Sequence, residues 1–358
     1  MVTRNLIDRD NYLGDGIVRK TGLQTVRIDH GEEKMINKRT ILKTLGASAM
    51  AALMGTGAAL AQDVTLRMHQ FLPAQANVPA NILVPWAENI MEESGGRIEI
   101  QHFPSMQLGG TPPQLIDQVI DGVADIVWTV SGYTPGRFPQ AEVFELPFTM
   151  NNAGPMSAAY WELAEERMMD TDFADFKVLG VWVHGPGVIH SADPIETPAD
   201  LNGVKLRAPT RVTNKLFENL GATPVGMPVP AIPEALSKGV VDAAVIPWEV
   251  TGALKVAELV ENHTEFPNNA IYTTTFIFAM NKDKYDALPD DLKAIIDANS
   301  GAEFSRFAGT QMQSDDAGPR ELAVEMGNNI IQLSEEQAAE WEAAAQSTID
   351  EWIEETTA

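Results

Sequence analysis

The chain has 358 residues, no cysteine, and 50 acidic against 25 basic residues, a formal charge of −25. The lack of cysteine excludes a disulfide framework, a thiolate metal site, a cysteine nucleophile and a lipid-modified N-terminal cysteine. The charge opposes binding to nucleic acid or anionic lipid, and the 44% hydrophobic content allows the core of one large or two smaller α/β domains.

Residues 1–34 are polar and of mixed charge. They read as a disordered extension, or as an artefact of an upstream start, because Met35-Ile36-Asn37-Lys38-Arg39 looks like a natural beginning. Residues 35–61 read as an export signal. Lys38, Arg39 and Lys43 form a basic start, an apolar and small-residue run covers 45–60, and Ala59-Leu60-Ala61 has a small-x-small cleavage pattern. Cleavage after Ala61 makes Gln62 the first mature residue and places the protein in the periplasm. The alternative, a membrane anchor, needs a longer run without glycine. Beyond residue 61 the chain keeps 16 basic and 44 acidic residues, a charge of −28. An acidic protein that binds an anionic solute needs a locally positive pocket, and few cations are available to build one.

Residues 64–71 predict a first strand, 79–94 a helix closed by Gly95-Gly96, and 97–103 a second strand. A short helix over 112–119 ends at Gly122, and 124–130 is an apolar strand. This β-α-β-α-β order opens a parallel sheet. Residues 142–148 read as a buried connector, 154–168 as a helix, and 178–183 as a strand. The cluster His184-Gly185-Pro186-Gly187 marks a crossover to a second domain that runs to about residue 270. Residues 272–280 are a β-branched and aromatic strand that returns to the first sheet. From Pro289 a long helical pattern follows, opened by Asp290 and Asp291 and expected to break at Gly318-Pro319. A last amphipathic helix covers 335–353.

The most informative stretch is 201–248. A strand over 204–206 delivers Arg207 at its carboxyl end, a helix covers 212–220, and strands over 224–229 and 241–246 flank a short helix ending at Lys238-Gly239. Ligands sit at the carboxyl ends of strands in such sheets, and a guanidinium there presents a fixed fork suited to a carboxylate. The competing reading pairs Arg207 with a local acid.

At these residues the chain resembles the solute receptors of TRAP transporters, the tripartite ATP-independent periplasmic carriers. The resemblance runs from about residue 64 to 354. It rests on SGGRIEIQHFPSMQLGG (94–110), IDGVADIVW (120–128), LPF (146–148), DLNGVKLRAPT (200–210), LGATPVGMP (220–228) and GVVDAAVIPW (239–248), in that order. It implies an α/β fold of the type II-like, two-lobed periplasmic binding-protein kind, with crossing strands and a long bracing helix. On this basis lobe I comprises 63–183 with 271–310, and lobe II 184–270 with 311–358. The resemblance further implies a protein that closes around an organic acid, grips its carboxylate through Arg207, and delivers it to TRAP membrane permease subunits. No enzymatic activity and no cofactor are implied.

Departures from the pattern bear on the solute. Sugar-acid receptors of the family carry a second arginine after the crossover, where this chain has HGPGVIHS (184–191). They carry a glutamate and a tyrosine where this chain has Ala231 and Pro233, and an asparagine where it has Ile246. Each change removes a polar partner, and a sugar hydroxyl buried without one costs about 1–3 kcal/mol. Trp128, Tyr133, Trp182, His184 and Trp248 fall near the same rim. The composition favours an aromatic acid, such as a benzoate or hydroxybenzoate, or a small aliphatic monocarboxylate. The residues expected to bind it are Arg207, Trp248, Trp128, Tyr133, His69 and His184. Core packing is the competing role for the tryptophans and is the reading for Trp182, while Trp86 and Trp161, at helical spacing, read as core or surface-seam residues.

Other candidates carry less. The six histidines lack metal-ligand spacing, although His184 and His190 could share one face of a strand. His102 and His263 read as ordinary polar positions. Arg211 either adds positive potential beside Arg207 or pairs with an acid, and Arg137 is a latch or a loop ion pair. No GxSxG, P-loop or dinucleotide fingerprint occurs. A receptor of an ATP-driven importer, and an exported hydrolase or isomerase, remain as alternative functions.

Overall fold

The structure is a computed structural model and describes residues 63–357. The export signal and the leading 34 residues lie outside the described residues. The strands are β1 (Val64–His69), β2 (Ile98–Phe103), β3 (Ile126–Val130), β4 (Phe176–Val183), β5 (Gly187–Ser191), β6 (Lys205–Ala208), β7 (Thr223–Gly226), β8 (Ala243–Pro247), β9 (Asn262–Glu265), β10 (Thr275–Asn281) and β11 (Asn329–Gln332). They form two sheets, ordered β2-β1-β3-β10-β4 and β11-β9-β5-β8-β6-β7. This is the expected α/β, two-lobed architecture. In the first sheet β1, β2 and β3 run parallel, and β10 is antiparallel to β3 and β4. In the second, β6 is parallel to both β7 and β8.

The interior strands carry the apolar runs. Every residue of β3, β8 and β10 is buried, as expected of interior strands in mixed sheets covered on both faces. The edge strands β7 and β11 are partly exposed.

The helices are α1 (Val84–Glu93), α2 (Leu115–Ile120), α3 (Ala153–Leu163), α4 (Arg211–Asn219), α5 (Ile232–Ser237), α6 (Trp248–Leu254), α7 (Lys282–Asp286), α8 (Asp290–Ala298), α9 (Ala302–Ser314), α10 (Ala317–Glu325) and α11 (Glu335–Thr357). α1 is entered through a wider π-turn, Pro79–Leu83, in which the Val84 N–H reaches back to the Pro79 carbonyl. Pro85 explains the wider turn. It lacks the N–H that an α-turn would use, and its ring crowds the preceding carbonyl.

The long helical pattern after Pro289 is three helices, with breaks the sequence reading misplaced. The first falls at Gly301, whose φ of 91° lies outside the helical region and whose N–H bonds the Leu179 carbonyl of β4 at 2.8 Å. The second falls at Asp315-Asp316. Gly318-Pro319 does not interrupt anything: both lie in the first turn of α10, where a missing N–H is harmless. The bracing role is thereby divided. α9 packs on α3 and β4, α10 packs on α6 beneath the second sheet, and α11 lies on α4.

The chain passes between the sheets side by side at two crossings. Residues 184–186 link β4 to β5, and 266–274 link β9 to β10. There the Gly187 N–H bonds the Tyr272 carbonyl at 3.1 Å. A Cβ on Gly187 would meet the Tyr272 ring at 2.1 Å, so only glycine admits this approach.

Candidate functional site

The segment Arg207-Ala208-Pro209-Thr210 builds one wall. β6 alternates, with Leu206 in the core of its own lobe and Arg207 facing the other way. Pro209 ends the strand, and the Thr210 hydroxyl caps α4 by accepting from the Thr213 N–H. Arg207 is fully buried. Its Nε donates to the Met227 carbonyl at 2.9 Å and its Nη1 to the Val245 carbonyl at 3.0 Å. The middle of β8 and the residue that follows β7 therefore pin the fork. Its Nη2 has no partner. Burial pushes the guanidinium pKa down, and the phenols of Tyr133 and Tyr272 oppose that push. A guanidinium stays charged in proteins, so the site holds a buried cation with no carboxylate bonded to it.

The first sheet supplies the facing wall. Trp128, in the middle of β3, stacks on Phe71 (centroids 4.7 Å, interplanar 16°) and on Phe276 (5.1 Å, 19°). Its Nε1 is buried and unpartnered. After β3 a 3-10 turn, Ser131–Tyr133, carries Tyr133 across to the second lobe, where its hydroxyl accepts from the Val229 N–H at 2.9 Å. The two crossings contribute His184, Tyr272 and Thr274. Together with Leu72, Ile246, Val250 and Glu249, these residues line a small, tight cavity.

Its protonation states follow from burial. His184 is pushed down to about 4 by desolvation, and the nearby Arg207 charge adds to this. Its Nδ1 donates to the Gly185 carbonyl at 2.5 Å, since a carbonyl only accepts, which leaves Nε2 as an acceptor. Tyr133 and Tyr272 are pushed up by desolvation and stay neutral phenols. Glu249 is pushed well above the ordinary carboxylate range, chiefly by desolvation and then by Asp316 and Asp315. Four buried polar atoms on this one cavity lack partners: Arg207 Nη2, Trp128 Nε1, Thr274 Oγ1 and Glu249 Oε2. An unsatisfied buried group costs about 1–3 kcal/mol, so an occupant with matching groups recovers much of that cost.

The structure brings Arg207, Trp128, Tyr133 and His184 to this cavity, and places two other expected residues elsewhere. Trp248 is the first residue of α6 and turns outward from the cavity. It packs on His190 and His263, and its Nε1 donates to Glu265 Oε1 at 2.8 Å. His69 is buried under the first lobe, with Nδ1 against Gln118 Oε1 at 2.8 Å and Nε2 accepting from the Leu108 N–H. His190 does not pair with His184. It meets His263 at 2.7 Å between Nδ1 atoms, both rings buried, so His263 is not an ordinary polar position. Arg211 pairs with Glu142 and Glu355, and Arg137 with Asp117. Trp182 and Trp86 are core residues. Among the described residues no group of three His, Cys, Asp or Glu is placed to hold a metal ion.

Phe71, Glu249, Tyr272, Thr274 and Phe276 reach the cavity without having been singled out in the sequence. The aromatic return strand at 272–276 was a usable signal. Glu249 offered none, as one acid among many in an acidic chain.

The family model for DctP, the bacterial extracellular solute-binding proteins of family 7, matches residues 71–356. A TRAP solute-binding protein of Rhodoferax ferrireducens T118, solved with copurified benzoate, is 49% identical, with a TM-score of 0.80 over 82% of this chain and 92% of that one. A marine-metagenome TRAP solute-binding protein described as specific for aromatic acids, bound to metahydroxyphenylacetate, is 48% identical, with a TM-score of 0.80 over the same shares. A TRAP periplasmic solute-binding protein of Bordetella bronchiseptica, with bound (R)- and (S)-mandelate, is 25% identical, with a TM-score of 0.77 over 82% of this chain and 93% of that one.

Proposed function

This chain belongs to the bacterial extracellular solute-binding proteins of family 7, and from that premise we propose that it captures an aromatic monocarboxylate of benzoate size in the periplasm and hands it to a TRAP membrane permease. One observation carries the reading: a buried guanidinium with a free N–H faces a narrow cavity walled by aromatic and aliphatic side chains. The solute carboxylate supplies the missing counter-charge at Arg207 Nη2. Its ring lies among Trp128, Phe71 and Phe276, where burial contributes about 2–3 kcal/mol. The Tyr133–Val229 bond joins the lobes over the solute, and the export signal from Met35 to Ala61 places the receptor outside the cytoplasm. Ile246, which lines the cavity without a side-chain polar group, argues against sugar acids, whereas Ala231 and Pro233 do not reach the cavity.

Thermal melting tests this. A ligand that binds only the folded state raises stability by RT ln(1 + [L]/Kd). Benzoate and mandelate are expected to raise the melting temperature, and hexuronates to leave it unchanged. A hexuronate response without an aromatic one would refute the reading.

A further inference from the structure

The four unpartnered atoms of the cavity differ in chemistry. Arg207 Nη2, Trp128 Nε1 and the Thr274 hydroxyl are donors. A carboxylate only accepts, with about four lone-pair positions, and suits all three. Glu249 Oε2 is the exception: it belongs to a carboxyl group that burial holds toward its protonated form, which can both donate and accept. Glu249 is 3% exposed and borders the cavity at the start of α6. It makes no ion pair with Arg207, although both line the same cavity. Its neighbours on the far side are Asp315 and Asp316, between α9 and α10, and the Asp316 carboxylate accepts from its backbone N–H at 2.8 Å. The wall that Glu249 forms thus carries one unmet carboxyl oxygen with two further acids nearby.

Resting on the function proposed above, we propose that Glu249 is the second polar anchor of the cavity and that it selects aromatic monocarboxylates bearing a ring hydroxyl. The solute carboxylate meets Arg207 and the hydroxyl meets Glu249 Oε2 across the ring. A bare ring leaves that oxygen unsatisfied. A ring with a second carboxylate buries a second anion with no cation beside it and binds more weakly.

Isothermal titration of the purified protein with benzoate, 3- and 4-hydroxybenzoate and isophthalate tests the anchor. The better hydroxybenzoate is expected to bind about tenfold or more tighter than benzoate, with isophthalate weakest. In Glu249→Met the preference for the hydroxyl is expected to fall below about threefold. Glu249→Gln, which keeps a donor and an acceptor, retains the preference. Equal affinities in the parent protein, or a preference that survives Glu249→Met, overturn the anchor and leave benzoate binding intact. Failure of every aromatic acid to bind overturns the anchor together with the function it rests on. If Glu249→Met does not fold, a crystal structure of the parent with its preferred hydroxybenzoate decides. A ring hydroxyl bonded to Glu249 supports the anchor, and one pointing elsewhere overturns it.

Discussion

Arg207 pays for its place in the interior through Met227 and Val245, which occupy two of its nitrogens, while the third faces the cavity. Truncating one partner of a buried charge pair costs about 2–5 kcal/mol of binding. Arg207→Met is therefore expected to weaken benzoate binding by roughly a hundredfold or more, measured by titration calorimetry. The melting temperature of the free protein should change little, because loss of a buried cation offsets loss of the two carbonyl bonds. Much of the cavity was legible at this scale. Arg207 and Trp128 sit on strands, and Tyr133 and His184 directly follow strands, where solute sites of α/β sheets lie. Facing was not legible. His69 also ends a strand, and Trp248 follows one, yet each turns into its own lobe. The direction depends on which neighbours a side chain meets, Gln118 for one and His190 with His263 for the other.

At the level of elements, apolar strands could be read and polar ones could not. β3, β8 and β10 show in the chain as β-branched and aromatic runs. β9, with the sequence Asn-His-Thr-Glu, carries no such pattern, although three of its four residues are buried. The breaks between α8, α9 and α10 escaped for a related reason: Gly301 stops a helix by a backbone angle and a bond to β4, which periodicity cannot register. The second break has an electrostatic consequence. Asp316 is pushed up to about 8, chiefly by burial, while the backbone N–H groups of Glu249 and Trp248 pull the other way. An unfolded aspartate ionises near 4. Between about 4 and about 8 the native state therefore holds a proton that the unfolded state has lost, and stability falls as pH rises through that window. The melting temperature is expected to decline from pH 5 to pH 8. Asp316→Asn, which keeps an acceptor for the Glu249 N–H, should flatten that decline. An unchanged slope in the variant would remove Asp316 as its source.

For the molecule as a whole, the lobes meet through few direct polar bonds at the cavity, among them Tyr133 to Val229 at 2.9 Å. A solute touching both lobes binds the closed form better and shifts the population toward it. Removing a bond made only on closure should weaken the solute's apparent affinity without touching the solute. One such bond contributes about 1 kcal/mol, so Tyr133→Phe is expected to raise Kd about fivefold. Small-angle scattering should show the unliganded variant more extended than the parent. The stack of Trp128 between Phe71 and Phe276 has an optical consequence. An indole whose N–H is unpaired, and whose edge borders the binding space, changes its surroundings from vacant to occupied when a carboxylate arrives. Indole emission responds to such a change in polarity, so loading should alter the intrinsic fluorescence of the chain. The signal should vanish in Trp128→Phe, while Trp182, whose indole N–H donates to the Met312 sulfur, continues to emit unchanged. The receptor thereby carries a native reporter, and uptake kinetics can be followed by stopped flow without any attached dye.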